Sequence, residues 1–259
     1  MINYLYNLGR FYVNSFKDFK EYIYFCLIIV SQFLTFKLFN PAVFLVTLRQ
    51  IYFTGVQIIK IHLFIATIVG IGLVGLFGKF LFSIGAYEHI GKVLVLVIIR
   101  EFAPLITTLL LSFRSSTAIG TEIATMKLNN EIKTLNSIGI NEYNYLFLPR
   151  VFSGVVCIFS LSVFFAFVSI MVGYFILSFK LNMTMDYVVK MVINELSLDD
   201  IACFIYKTLF FGFVITTTPI FTSMTTVSKY STDVPISLLK GMMRLFYGLI
   251  FVEITGLLI

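Results

Sequence analysis

Between Arg150 and Lys180 the chain carries no Asp, Glu, Lys, Arg or His and is apolar almost throughout. Roughly 20 apolar residues suffice to cross a bilayer as a helix. In lipid every backbone amide must be bonded within its own segment, so a run like 151–179 is expected to be a transmembrane helix. The same search yields four further windows: 53–78, 93–113, 201–227 and 238–259. A shorter apolar run, 22–36, is bracketed by Glu21 and Lys37 and reads as a helix lying along the membrane surface. Composition agrees. Apolar residues make up 59% and charged residues 12%, whereas about a quarter of a soluble domain is charged. Soluble enzymes, nucleic-acid-binding domains and disordered chains are thereby excluded, in spite of a net charge of +6.

That positive charge is read as a topology signal. Five spans after an N-terminus on the cytoplasmic side put 1–60, 114–150 and 229–244 inside, with six, four and three Lys/Arg. The segments 79–92 and 180–200 lie outside with two each, and such a bias orients multispan proteins. The N-terminus is expected inside and the C-terminus outside. Glu88, Asp186, Glu195, Asp199 and Asp200 collect on the outer side. No linker divides the chain, so 1–259 is expected to be one domain, with 1–48 a cytoplasmic and interfacial segment and 53–259 a five-span bundle. The first twenty residues have no compact apolar core with a small-residue cleavage site, so no cleavable leader is expected.

Besides Lys60, Lys240 and Arg244 at the starts of their spans, four charges stand within the expected spans: Arg100, Glu101, Lys207 and Glu253. A charge in the bilayer interior is costly unless paired or wetted. The set, neutral as two positives and two negatives, is expected to face the bundle interior and pair across spans two, four and five. It serves either as glue that fixes helix register or as the lining of a polar pathway. Between spans two and three, Leu128, Ile132 and Leu135 recur at helical spacing with Lys127, Glu131 and Lys133 opposite. This spacing predicts a short amphipathic helix, with Gly139 as its C-terminal cap and Pro149 in the first turn of span three. Such a helix is either a solvated loop or the element that plugs into a partner.

Other motifs read blandly. Residues 70–75 match G-x-G-x-x-G but are embedded in a span, so Gly72, Gly75 and Gly78 are assigned to close helix packing and not to a nucleotide. His62 and His89 are isolated and read as packing or surface residues; Cys26, Cys157 and Cys203 read as small core hydrophobes. Asn182-Met183-Thr184 fits a glycosylation sequon on the outer side. No metal site, no catalytic constellation and no Walker lysine motif can be assembled. Any ATP-driven process would need its ATPase from another chain.

The ordered blocks Ile99-Arg100-Glu101-Phe102-Ala103-Pro104-Leu105, Arg114-Ser115-Ser116-Thr117-Ala118-Ile119-Gly120-Thr121-Glu122-Ile123-Ala124-Thr125-Met126-Lys127, Asn130-Glu131-Ile132 through Leu135, Gly139-Ile140 and Leu148-Pro149-Arg150 resemble the MlaE family. These are permease subunits of ABC transporters that move phospholipid between the inner and outer membranes of Gram-negative bacteria, with relatives in plastid envelopes. The resemblance implies an all-α integral membrane protein: an N-terminal interfacial helix, five transmembrane helices and a cytoplasmic coupling helix between spans two and three. It implies a transport subunit without its own cofactor, a homodimer with two cytoplasmic ABC ATPases that bind ATP, an MCE-domain protein on the outer face, and a phospholipid substrate. Arg100, Glu101, Lys207 and Glu253 match family positions, Glu253 standing where the family more often has Asp. Glu122, Met126, Lys127, Glu131 and Leu135 would dock the ATPase, and Leu73 and Phe77 would line an apolar lipid cavity. Ser115-Ser116 and the stretch from Ser228 to Pro235 depart from the family pattern. The expected location is a bacterial inner membrane, with a plastid inner envelope as the alternative. An ion- or proton-coupled secondary transporter, or a scaffold for an outer-face protein, are the competing classes.

Overall fold

The computed structural model describes residues 2–34, 41–86, 89–181, 185–226, 230 and 232–258. The elements are helical: α1 (Ile2–Leu34), α2 (Pro41–Thr54), α3 (Ile59–Val69), α4 (Gly75–Ser83), α5 (Ile90–Val93), α6 (Ala103–Leu111), α7 (Thr117–Leu128), α8 (Glu131–Ser137), α9 (Leu148–Leu181), α10 (Met185–Glu195), α11 (Leu198–Thr226) and α12 (Asp233–Leu257). Five continuous stretches are long and apolar enough to cross a membrane: Val43–Leu81, Ile90–Leu128, Tyr143–Phe175, Leu198–Thr226 and Asp233–Leu257. They are the five expected spans, each starting earlier than expected and the first two also ending later. The first two have 39 residues each, a rise of about 58 Å, about twice the hydrocarbon thickness. Their ends therefore project from the membrane or run along it.

Three π-helical stretches, Gly70–Val74, Leu94–Phe102 and Ser112–Ser116, carry one helix straight into the next, and a fourth, Tyr143–Phe147, leads into α9. Two of these end two residues before a proline, Pro104 or Pro149. Proline lacks an amide hydrogen and crowds the carbonyl four residues back, and a wider turn relieves both problems. Pro149 stands in the first turn of α9, as expected, with a π turn running into it.

The polar segment after span two differs from the expected single helix. Span two continues through Arg114 to Leu128 as α7, and α8 is separate. The break is at Asn129 and Asn130, where Asn130 takes φ +57°, a conformation that Asn tolerates better than other side chains. The cap at Gly139 is as expected. With Gly139 at φ +82°, the Ile140 amide bonds the Leu135 carbonyl at 2.9 Å and the Gly139 amide bonds that of Asn136 at 3.0 Å, the Schellman arrangement.

Spans one and three run side by side in the same direction. His62 Nε2 lies 2.9 Å from the Leu161 carbonyl oxygen, and Ser169 Oγ donates to the Ala66 carbonyl at 3.0 Å. A Cβ on Gly70 would stand 2.5 Å from the Ser169 carbonyl oxygen, whereas one on Gly72 would meet nothing within 4 Å. The close approach is made by Gly70, correcting the assignment to Gly72; Gly75 and Gly78 are buried. The π turn at Gly70–Val74 shifts the helix phase, so counting in threes picks the wrong glycine.

α1 is longer than the expected 22–36 helix, of which 35–36 fall outside the described residues. One face sits on the bundle. Phe25 and Ile29 join a cluster with Ile123, Phe147, Val151 and Phe221, and Tyr22 Oη lies 2.8 Å from Thr217 Oγ1. Arg244 of α12 donates to Asp18 at 2.5 Å. A second face exposes Phe16, Phe19, Ile23, Leu27 and Val30, while Lys17, Lys20 and Glu21 are exposed beside it. The sequon at 182–184 and, of the departure at 228–235, Ser228, Lys229 and Ser231 also lie outside the described residues, while Asp233, Val234 and Pro235 open α12.

Candidate functional site

α11 places Lys207 at the centre of the bundle. Its side chain is 0% exposed, and Nζ donates to Glu253 Oε1 of α12 at 2.8 Å and to Glu101 Oε2. Glu101 and Arg100 lie in the π-helical stretch Leu94–Phe102, whose end is marked by the Ala103 amide bonding the Ile98 carbonyl five residues back. Arg100 Nε is 3.8 Å from Glu101 Oε1, and its Nη1 is 3.4 Å from Asp200 Oδ1. The four charges expected to meet across spans two, four and five do so.

Asp200 is a fifth member that sequence reasoning put among the outer acidic residues. Ser197 and Asp200 form a capping box at the start of α11. The Asp200 amide donates to Ser197 Oγ at 3.2 Å, and Asp200 Oδ2 accepts from the Ser197 amide at 3.2 Å and its hydroxyl at 2.7 Å. Ser-x-x-Asp before an apolar run was the available signal. Such a residue is part of a helix and can aim its second oxygen sideways at Arg100. With Asp200 included the set holds two cations and three carboxylates, so it is not neutral as first counted. Glu253 Oε2 is buried and finds no donor among the described residues.

The stem of Lys207 passes over Gly256, where an added Cβ would stand 2.6 Å from Lys207 Cε. Neighbouring contacts pin α11 to α12 at this level: Cys203 Sγ to the Gly256 carbonyl at 3.2 Å and Tyr206 Oη to Thr255 Oγ1 at 2.7 Å. Glu101, Lys207 and Glu253 sit about 16, 14 and 6 Å of helix rise from Ile90, Leu198 and Leu257 respectively. Those three ends share one side of the bundle, so the network lies in that half of the membrane-crossing region.

The opposite end carries the residues expected to dock an ATPase. Glu122, 49% exposed, pairs at 2.6 Å with Arg150, which is 3% exposed and also bonds the Leu146 carbonyl at 2.7 Å. Lys127 Nζ donates to the Met224 carbonyl near the end of α11, where a cation suits the last carbonyls of a helix. Met126 and Leu135 pack inward with Phe25, Ile132 and Phe147. Glu131 is exposed and accepts from Asn129 Nδ2 at 3.0 Å. Leu73 is half-buried and Phe77 is 40% exposed on the flank of span one. A small surface cleft lies elsewhere, lined by Ser116, Pro219, Ser223, Ser237 and Gly241. His62 is buried with its ring edge against Phe165, and Cys157 and Cys203 are buried, all in packing roles as expected. His89 is exposed.

The family model described as Permease MlaE matches residues 47–258, a stretch that contains the whole network. The chain belongs to the MlaE permease family. Among relatives, a probable ABC transporter permease protein, ycf63, of Pyropia yezoensis is 26% identical over 167 residues, 64% of each chain. The chloroplastic protein trigalactosyldiacylglycerol 1 of Arabidopsis thaliana is 32% identical over 105 residues, 40% of this chain and 30% of that one. The intermembrane phospholipid transport system permease protein MlaE of Haemophilus influenzae is 29% identical over 126 residues, 48% of each. The chain thus matches less than two thirds of the length of each relative. Within the stretch matched to this permease family, the chain's own residues supply the buried network at the junction of spans two, four and five.

Proposed function

We propose that this permease moves phospholipid between two membranes as the dimeric core of an ABC transporter. The observation that carries the reading is the ion network that ties spans two, four and five together around a lysine with no exposure. A charged cluster maintained in an apolar bundle at this energetic cost fits a path for a substrate with a charged head and apolar tails. Leu73 and Phe77 are accessible on the flank of span one, so an apolar lipid cavity there requires a second surface, which a second copy supplies. The α7–α8 end, turned outward at Glu122 and Glu131, is the docking side for a separate ATPase that binds the ATP. An MCE-domain protein covers the other end. In this reading the N-terminus is cytoplasmic, the C-terminus is external, α1 lies in the interface, and the membrane is a bacterial inner membrane.

The test is purification in detergent with partner identification by mass spectrometry, followed by reconstitution. A stoichiometric ATPase, co-purified phospholipid and ATP-dependent lipid transfer are expected. Transport that follows an ion gradient and ignores ATP would refute the proposal in favour of a secondary transporter.

A further inference from the structure

At the α7-bearing end of the bundle, spans one, two and five meet at the surface. Ser115 Oγ reaches the Thr54 carbonyl at 3.5 Å, and the rings of Phe113 and Phe246 lie 6.3 Å apart. Arg114 is exposed there, and its Nη2 donates to Gln57 Oε1 at 2.6 Å. Arg100, Arg150 and Arg244 have acidic partners, in Asp200, Glu122 and Asp18, whereas Arg114, like the exposed Arg49 near the start of span one, has none among the described residues.

The surroundings show what would complete it. Gln57 spends its carbonyl on Arg114 and keeps two amide hydrogens to donate. Lys60 is exposed three residues further along, on the same side of the helix as Gln57. Around these donors stand exposed apolar side chains: Phe113 at 57%, Phe53 at 51%, Ile61 at 56% and Phe64 at 66%. Water would satisfy the cations and leave the apolar collar uncovered; acyl chains alone would do the reverse. A phospholipid does both, with its phosphate against a guanidinium fork and its tails along the rings.

We propose that Arg114, oriented by Gln57 and assisted by Lys60, binds the phosphate of an anionic phospholipid of the adjoining leaflet. The site is separate from the buried network, since Arg114 lies about 20 Å of helix rise from Glu101 along span two. It rests on the membrane placement of the spans and not on transport, so its test needs neither ATPase nor nucleotide.

The chain has no Trp, so Phe113→Trp is a single fluorescent reporter beside the site. The full-length variant is reconstituted into vesicles of phosphatidylcholine and phosphatidylglycerol in which one lipid or the other is dibrominated, and quenching is titrated. Phosphatidylglycerol is expected to occupy the site with about a fivefold preference, the effect of one cation at an anionic interface. Arg114→Gln should abolish that preference, Arg114→Lys should retain part of it, and Lys60→Gln should lower it. Equal quenching by both lipids, or a preference that survives Arg114→Gln, would overturn the proposal. So would loss of the preference when inorganic phosphate is added, which would mark a site for a soluble anion. Absence of quenching by either lipid would show the surface covered by a second copy or another protein and would overturn it as well.

Discussion

Replacing Lys207 by Met removes the ammonium from between two carboxylates while keeping most of the stem that lies over Gly256. Deleting one partner of a buried ion pair costs about 3–5 kcal/mol. Here the two acids retain 29% and 21% exposure, and Glu101 keeps Arg100 at 3.8 Å, so the lower end, about 3 kcal/mol, applies. Unfolding in detergent can be followed with a thiol-reactive dye, because Cys157 and Cys203 are free and buried and become reactive only as the bundle opens. Lys207→Met should melt well below the wild type and should not support lipid transfer. The triple variant Glu101→Gln, Lys207→Met, Glu253→Gln leaves Arg100 and Asp200 as a balanced pair and should recover most of the lost stability. Recovery of transfer in the triple variant would show that the charges only hold the helices in register, whereas restored stability without transfer would show that they serve the lipid path. If Lys207→Met melts with the wild type, the energetic account of the network is wrong.

Three further outcomes follow from the same geometry. Gly256→Ala puts a methyl 2.6 Å from Lys207 Cε, so it should lower both melting temperature and transfer through displaced Lys207, and wild-type melting of this variant would contradict the contact. Glu122→Gln strands a guanidinium that is 3% exposed, whereas Arg150→Met strands a carboxylate that is 49% exposed; the first should cost more, about 2 kcal/mol, and equal thermal losses would refute the asymmetry. Gly70→Ala should reduce the folded yield sharply, because its Cβ meets the Ser169 carbonyl, and Gly72→Ala should leave the monomer's melting unchanged; the opposite ranking, read by size-exclusion chromatography, would contradict the seam described for spans one and three.

The spans, and the meeting of Arg100, Glu101, Lys207 and Glu253, were legible because lipid penalises charge so heavily that any charge kept in a span must have a partner. The limits of the helices were not. Hydropathy falls at Arg114, but the backbone has no reason to stop there, and α7 continues until two asparagines offer a left-handed turn at Asn129 and Asn130. Asp200 escaped because acids at the edge of a span look like loop residues, although Ser197 three positions earlier marks a helix start. Gly72 was preferred to Gly70 because counting along an α-helix ignores the π turn that begins at Gly70. Glu122 was assigned wholly to an external partner because its cation, Arg150, lies 28 positions away beyond a helix break.

The π-helical stretches also bear on how such a chain tolerates insertion and deletion. A π turn houses one residue more than an α turn, so deleting one residue within Leu94–Phe102 would let that turn tighten to α and leave α6 and α7 in their present angular phase. The same deletion within α6 would swing Arg114 and all that follows by about 100° about the axis. The span that carries the charges at one end and the polar α7 at the other thus has length polymorphism absorbed at one segment and forbidden at the next.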